Sequence, residues 1–312
     1  MILVYGPTSV GKTAFVDELA QSIPAEILNA DMGQLYVPLT IGTAKPDWRN
    51  APVPHHLFDI INEPVRYTVV AYRALVKETM RAIWKKNKIP ILVGGSAFYL
   101  RSLFFPPVSN QIEETVSHEG NLWEQLNRID PDRAAKIPPQ DRYRLQRALA
   151  LYQSTGTKPS QFKPTYDPPT DSYLMICLTR DRGQLYERID QRVVQMLEQG
   201  WLQEVEQFLD TPWEPFILEK KVIGYDDIIQ YLRDGTHPYD DLVARIQKRT
   251  RNYAKRQMTF WRMLKRQLET TCRHTIDKPS HGRIEEVNLT SLNLHLYIEQ
   301  LQKTVKSMLA QE

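Results

Sequence analysis

The sequence predicts an α/β fold, a parallel sheet covered by helices, with a small all-helical insertion domain. Three observations lead there. The apolar run Met1-Ile2-Leu3-Val4-Tyr5 passes directly into "GPTSVGKT" at residues 6–13, the spacing of a phosphate-binding P-loop set between a strand and a helix. Strand and helix patterns then alternate to about residue 104, as a parallel sheet with crossover helices requires. Beyond it, Pro106-Pro107, Pro138-Pro139, Pro159, Pro164 and Pro168-Pro169 punctuate short helical stretches. The expected layout is a P-loop NTPase-like core over 1–104, a helical insertion over 105–170, and over 171–312 the completion of the core with a basic C-terminal helical region.

Taken in order, residues 2–5 read as a short buried strand. A helix follows over 12–22, where Phe15, Val16, Leu19, Ala20 and Ile23 share one face. A strand over 25–30 leads to Asp31, a helix spans 67–86, a strand 89–93, and a further helix starts at Phe98. Leu122–Ile129 and Asp141–Ser154 read as the helices of the insertion. Residues 173–179 form a strand returning to the sheet, followed by helices over 182–199, 201–209 and 225–233. Gly6, Asp31 and Gly94 all fall at the carboxyl ends of strands, where open α/β sheets bind their ligands.

The loop predicts phosphate chemistry. Glycines let successive N–H groups turn around phosphate oxygens while the next helix points its positive end at the same anion. Lys12 adds a point charge and Thr13 a hydroxyl for Mg²⁺. A nucleotide triphosphatase of this type also has a second apolar strand ending in an acid. Here Ile89-Pro90-Ile91-Leu92-Val93 ends in Gly94-Gly95-Ser96 instead, and the nearest strand-end acid is Asp31, which becomes the candidate base.

Composition sets wider bounds. The 312 residues are 42% hydrophobic and 25% charged, ordinary for a globular protein. Cys177 and Cys272 cannot build a disulfide framework, so both read as buried or incidental thiols in a reducing compartment. With a strand at the start and no apolar run of transmembrane length, the expected location is cytoplasmic, off any membrane. A monomer is expected, since no unpartnered apolar helix asks for a second copy.

The net charge of +3 is modest, but its distribution is not. From Arg245 to Arg266, "RIQKRTRNYAKRQMTFWRMLKR" holds nine Lys or Arg and no acid. Ile246, Tyr253, Phe260, Leu264 and Leu268 fall at steps of seven and four, an apolar seam that leaves the charge on the other faces. Such a helix suits a nucleic-acid backbone. Arg142, Arg144 and Arg147 form a second basic cluster in the insertion, so the two together suggest a grip on a strand or stem.

Several separated stretches then carry a resemblance. "GPTSVGKT", "NADMGQLY", "IGTAKP", "VPHHLFDI", "ILVGGSAFYLR", "DRYRLQRALALYQSTG", "LYERIDQRVVQMLEQGWLQEV", "VIGYDDI" and "TRNYAKRQMTFWR" occur in this order. Together they resemble the tRNA dimethylallyltransferase (tRNA isopentenyltransferase) family, and only the last forty or so residues lack recognisable signal. The resemblance implies transfer of a dimethylallyl group from dimethylallyl diphosphate to N6 of the adenosine adjacent to the anticodon of tRNA, releasing diphosphate.

In that reading the loop residues Gly6, Pro7, Thr8, Ser9, Val10, Gly11, Lys12 and Thr13 hold the donor diphosphate, with Mg²⁺ on Thr13. Asp31 is the base, and Arg182 clamps the donor from the opposite side. The resemblance also places Asp31, Met32, Gly33 and Gln34 around the flipped adenine and Ser96 beside them. Tyr143, Arg144, Leu145, Gln146 and Arg147 fall on the anticodon stem-loop. The chain departs from the family at Asp31-Met32, where Asp-Ser is usual, at Gly94-Gly95-Ser96-Ala97, where Gly-Gly-Thr-Gly is common, and in a shorter segment between Leu103 and Asp130. His55-His56 reads as structural. Cys272, His274 and His281 lack the second cysteine of a zinc finger, so no zinc is expected.

An adenylate isopentenyltransferase making cytokinin-type products would share the donor site, and a P-loop small-molecule kinase would share the loop and Asp31. Neither needs so basic a helix. A divergent member that binds RNA without turnover is the non-enzymatic alternative, against which Asp31, Lys12, Thr13 and Arg182 all argue.

Overall fold

In the computed structural model, which describes residues 1–107, 120–236, 238–274 and 281–309, the chain divides into two compact units. The first comprises Met1–Arg101 with Pro169–Glu312, and the second Ser102–Pro168. The first opens with β1 (Ile2–Tyr5), α1 (Lys12–Ser22), β2 (Ala25–Asn29), β3 (His55–His56), α2 (Val69–Trp84), β4 (Ile89–Gly94) and the start of α3 (Ala97–Phe104). A short 3-10 turn over Gly33–Leu35 follows Asp31.

The second unit is built from α4 (Leu122–Ile129), α5 (Pro131–Ala134) and α6 (Arg142–Thr155). Each begins on a polar cap: the Asn121, Asp130 and Asp141 side chains accept from backbone N–H groups of the first turn. Gly156, with φ 66°, ends α6 in the left-handed conformation that glycine adopts without strain. Leu122, Leu126, Ala134, Ile137, Leu145, Ala148 and Leu149 form its core.

The first unit resumes with β5 (Ser172–Thr179), α7 (Arg182–Glu198), α8 (Trp201–Glu206), α9 (Trp213–Lys220), α10 (Tyr225–Asp234), α11 (Tyr239–His274), β6 (His281–Asn288) and α12 (Leu294–Leu309). Six strands lie in the order β3-β2-β4-β1-β5-β6, every pair parallel. Register is set by Ile2 against both Ile91 and Leu174, and by Ala25 against Ile89. Val4, Ile27, Ile91, Ile176 and Val287 pack with Phe15, Val16 and Leu19 of α1 and with Ile298 and Leu301 of α12. The alternate residues Leu3, Leu28, Leu92 and Met175 are buried as well, so helices cover both faces.

Two polar devices brace this sheet. Glu26, 1% exposed on β2, accepts from Lys88 at 2.9 Å and Lys86 at 3.1 Å and meets His56 at 2.8 Å. Burial alone would raise its carboxyl, but these bonds outweigh it and hold the pKa at about 2. The contribution is therefore complete above the ordinary glutamate range and is lost progressively as pH falls from that range through about 2. Glu26→Gln is expected to cost about 1–3 kcal/mol, read as a lower thermal midpoint at neutral pH. His55 turns the other way, its Nδ1 2.9 Å from the Val53 carbonyl, so the two histidines meet different partners.

The second device ties down α11, whose 36 residues run about 54 Å. Its buried side is Leu242, Ile246, Ala254, Gln257, Trp261, Leu264 and Leu268. The expected seam is thus corrected at two places: Tyr253 and Phe260 are only half-buried, and Trp261 fills the groove, stacked on Tyr5 at 5.5 Å. Charge is corrected too. Arg245 and Arg249 pair with Asp227 and Asp226 of α10, Arg251 with Asp190 of α7 and Lys265 with Glu286 of β6. The acids missing from the helix are supplied by its neighbours.

Candidate active site

The loops after β1, β2 and β4 open into a cavity of about 760 Å³. Between β1 and α1 the chain turns through Ser9 and Gly11, both with positive φ, at 61° and 110°. Gly6 has no room for a side chain, since a Cβ there would sit 2.7 Å from the Leu178 carbonyl oxygen. Two arginines hold the loop: Arg180 Nε donates to the Val10 carbonyl at 2.7 Å and Arg188 Nε to the Ser9 carbonyl at 3.0 Å. A glycine-rich turn of this kind ahead of a helix is the backbone form that cradles anions. Ser9 Oγ is buried with no hydrogen-bond partner among the described residues.

Lys12 reaches back to the Gly6 and Pro7 carbonyls at 3.0 and 2.9 Å, and burial, partly offset by Asp31, lowers its pKa to about 8. Thr8, Ser9, Gly11, Lys12 and Thr13 line the cavity, whereas Val10 is buried in the core and Gly6 and Pro7 face it with neither side chain. Those three members of the expected cradle therefore shape the loop rather than its inner surface.

Across the cavity stands Asp31. Burial raises its pKa, opposed by Lys12, by the Gly33 N–H that donates to Oδ1 at 3.1 Å, and by Arg192. The carboxylate both caps the 3-10 turn and faces the cavity. Ser96 Oγ accepts from the Met32 N–H at 3.1 Å, and the Met32 side chain, 39% exposed, stands at the rim. Gln34 lines the cavity with its amide committed to the Thr43 and Ala44 carbonyls at 3.0 and 3.2 Å.

Arg182 requires correction. It is exposed at the first turn of α7, its guanidinium 5.3 Å from the Tyr186 ring, and it does not line the cavity. Arg188 and Arg192, one and a half to three turns further on, do. They sit four apart beside the buried stripe Leu185, Ile189, Val193 and Leu197, so both project from the edge of the face turned to the sheet. That spacing in "ERIDQR" was the available signal. Arg192 has no carboxylate within 4 Å among the described residues, and burial lowers its pKa. In the second unit Leu145 is fully buried and belongs to the core, while Tyr143 and Arg144 are exposed and Arg144 pairs with Asp141 at 3.2 Å. The side chains of Cys272, His274 and His281 lie outside those described; Cys177 is buried.

Among the described residues, four cations, Lys12, Arg188, Arg192 and Lys221, line the cavity against the single carboxylate of Asp31. Lys12 and Arg192 are half-buried and Arg188 and Lys221 exposed on its wall, and cations gathered in this way suit a polyanionic group beside one carboxylate. Fold and site together define a P-loop enzyme of the α/β class.

The chain belongs to the IPP transferase family, whose model matches residues 34–264. It is 38% identical over 275 residues to a tRNA dimethylallyltransferase of Alkaliphilus metalliredigens, covering 84% of this chain and 88% of the relative. It is 37% identical over 281 residues to one of Symbiobacterium thermophilum, covering 85% and 87%. Among solved structures it is similar to the full-length tRNA isopentenylpyrophosphate transferase of Bacillus halodurans, with TM-score 0.67, 27% identity, and coverage of 99% and 96%. A eukaryotic dimethylallyltransferase acting on tRNA superposes with TM-score 0.74 at 29% identity, covering 93% of this chain and 74% of that one.

Proposed function

We propose that this enzyme transfers a dimethylallyl group from dimethylallyl diphosphate to N6 of the adenosine adjacent to the anticodon of tRNA, releasing diphosphate. The observation that carries the reading is the cavity itself, a phosphate loop and four cations facing, among the described residues, one carboxylate. As N6 attacks the allylic carbon, the C–O bond breaks and its electron pair passes to the diphosphate. The phosphate loop with Lys12, Arg188 and Arg192 stabilises the charge that develops there. Asp31 orients the amine and accepts its proton. Arg188 and Arg192 take the clamping role first expected of Arg182.

Mg²⁺ suits the donor set. No cluster of three His, Cys, Asp or Glu able to hold a metal occurs among the described residues, and Thr13 offers one hydroxyl on the cavity wall. Magnesium commonly binds in this way, through one or two protein oxygens and substrate phosphates. When bound, it would neutralise charge on the leaving diphosphate.

The acceptor reading draws on α11. Lys248, Lys255, Arg256, Arg262 and Arg266 are exposed and have no carboxylate partner among the described residues, in contrast to the four paired, half-buried cations of the same helix. Steps of seven, seven and four put Lys248, Lys255, Arg262 and Arg266 on one stripe, about 27 Å long. An RNA backbone matches it better than free adenylate does. The double variant Lys255→Ala/Arg262→Ala is expected to weaken anticodon stem-loop binding about tenfold and to flatten its salt dependence by roughly one and a half to two units of slope. The donor KM should stay unchanged. Unaltered stem-loop affinity across a salt titration would remove this helix from the acceptor site.

A further inference from the structure

Gln257 sits on the buried side of α11, 4% exposed, where a long basic helix has little need of an amide. Its side chain is spent on two loops at once. Oε1 accepts from the Thr8 N–H of the phosphate loop at 2.9 Å, and Nε2 donates to the Gly95 carbonyl, after β4, at 2.9 Å. Its own backbone carbonyl accepts from Tyr5 Oη at 2.8 Å, which fixes the helix to β1 directly before that loop.

The turn it grips is squeezed from both sides. A Cβ on Gly95 would stand 2.3 Å from Gln257 Nε2, and one on Gly94 would stand 2.1 Å from the Ala30 carbonyl oxygen. Neither glycine has a positive φ, so close approach rather than backbone conformation demands them. Ser96 N then donates to the Ala30 carbonyl at 3.3 Å, and Ser96 Oγ takes the Met32 N–H. Contacts thus run without a gap from Thr8 through Gln257 and the Gly94–Gly95 turn to Ala30 and Met32, the two residues that flank Asp31.

We propose that Gln257 is a positioning residue for the transfer reaction, an amide bridge that sets the distance between the donor's phosphate loop and the carboxylate that meets the acceptor. The inference rests on the prenyl-transfer reading above. Near-attack geometry is lost when two subsites shift by about an ångström, at a cost of roughly 10²-fold in rate. Each subsite keeps its own binding groups when the bridge is cut. The bridge therefore acts on turnover and leaves both affinities nearly intact, a division that a residue serving only the fold would not produce.

Two independent lesions break the same bridge. Gln257→Met keeps the volume and removes both hydrogen bonds; Gln257→Glu keeps the acceptor for Thr8 and loses the donor to Gly95. Gly95→Ala keeps the amide but pushes it aside. With labelled donor and anticodon stem-loop, each single variant is expected to lower kcat at least about tenfold, with both KM values within about threefold of the wild type. The double variant Gly95→Ala/Gln257→Met should be no slower than the worse single, because the two changes remove one element. Thermal midpoints measured alongside identify any variant that has failed to fold; Gln257→Glu, closest in shape and still bound to Thr8, then decides. Wild-type turnover in a folded Gln257 variant, losses that multiply in the double, or losses confined to KM would overturn the bridge. A wild type that transfers no prenyl group would instead overturn the function it serves.

Discussion

Asp31→Asn lowers kcat by about 10²–10⁴-fold, the range general-base catalysis supplies, while donor and stem-loop still bind. Asparagine keeps an oxygen for the Gly33 N–H and so preserves the turn after β2. It removes the one carboxylate that the described residues place on the cavity wall. Burial raises the Asp31 pKa, so the base takes up its proton above the ordinary aspartate range. The wild-type kcat/KM is therefore expected to fall on the acid side as Asp31 is neutralised, and this limb should vanish from the residual activity of Asp31→Asn. A pH–rate profile of both enzymes checks it; an acid limb that survives in the variant belongs to another group.

Lys12→Met removes the cation at the mouth of α1 and is expected to reduce kcat/KM for the donor by about 10²–10³-fold, the scale of one stabilising donor lost from a leaving-group site. Burial lowers the pKa of Lys12 to about 8 in the free enzyme. The sign follows: below about pH 8 the ammonium is present and can leave the Gly6 and Pro7 carbonyls for the diphosphate, and above it the charge is lost. A basic limb near pH 8 is expected in kcat/KM and weakened in kcat, because bound diphosphate favours the charged lysine. Stem-loop affinity is expected to be unchanged in Lys12→Met. A profile flat to pH 10 in kcat/KM would mean that Lys12 stays charged and bound to the loop.

Much of the donor side was legible because its constraints are local. A P-loop is a backbone conformation demanded by glycines at fixed spacing, and the strand ends that carry Gly6, Asp31 and Gly94 follow from alternation of apolar runs. Arg188 and Arg192 were harder, since their role depends on which side of α7 is buried, and Arg182 sits in the same amphipathic segment. Gln257 carried no signal at all: an amide within a basic helix becomes a bridge only once β1, β4 and α11 are side by side.

The last strand and helix were silent for a related reason. β6 reads "HGRIEEVN", an edge strand paired on one side with β5, whose Glu286 is satisfied by Lys265 and by the Trp261 indole at 3.1 Å. Its polarity masks a position in the sheet. The helix over Arg245–Arg266 was legible as basic but not as sorted, since the acids that neutralise four of its nine cations belong to α7, α10 and β6.

In the proposed reaction the phosphate loop serves an allylic diphosphate and the basic stripe an RNA. Purified enzyme with Mg²⁺ and labelled dimethylallyl diphosphate, offered an anticodon stem-loop bearing the target adenosine or free AMP, decides both, with ATP and no donor as the control. Label is predicted on the stem-loop alone, and none with Asp31→Asn. Label on AMP at a comparable rate, or phosphate transfer from ATP without any prenyl product, would contradict it.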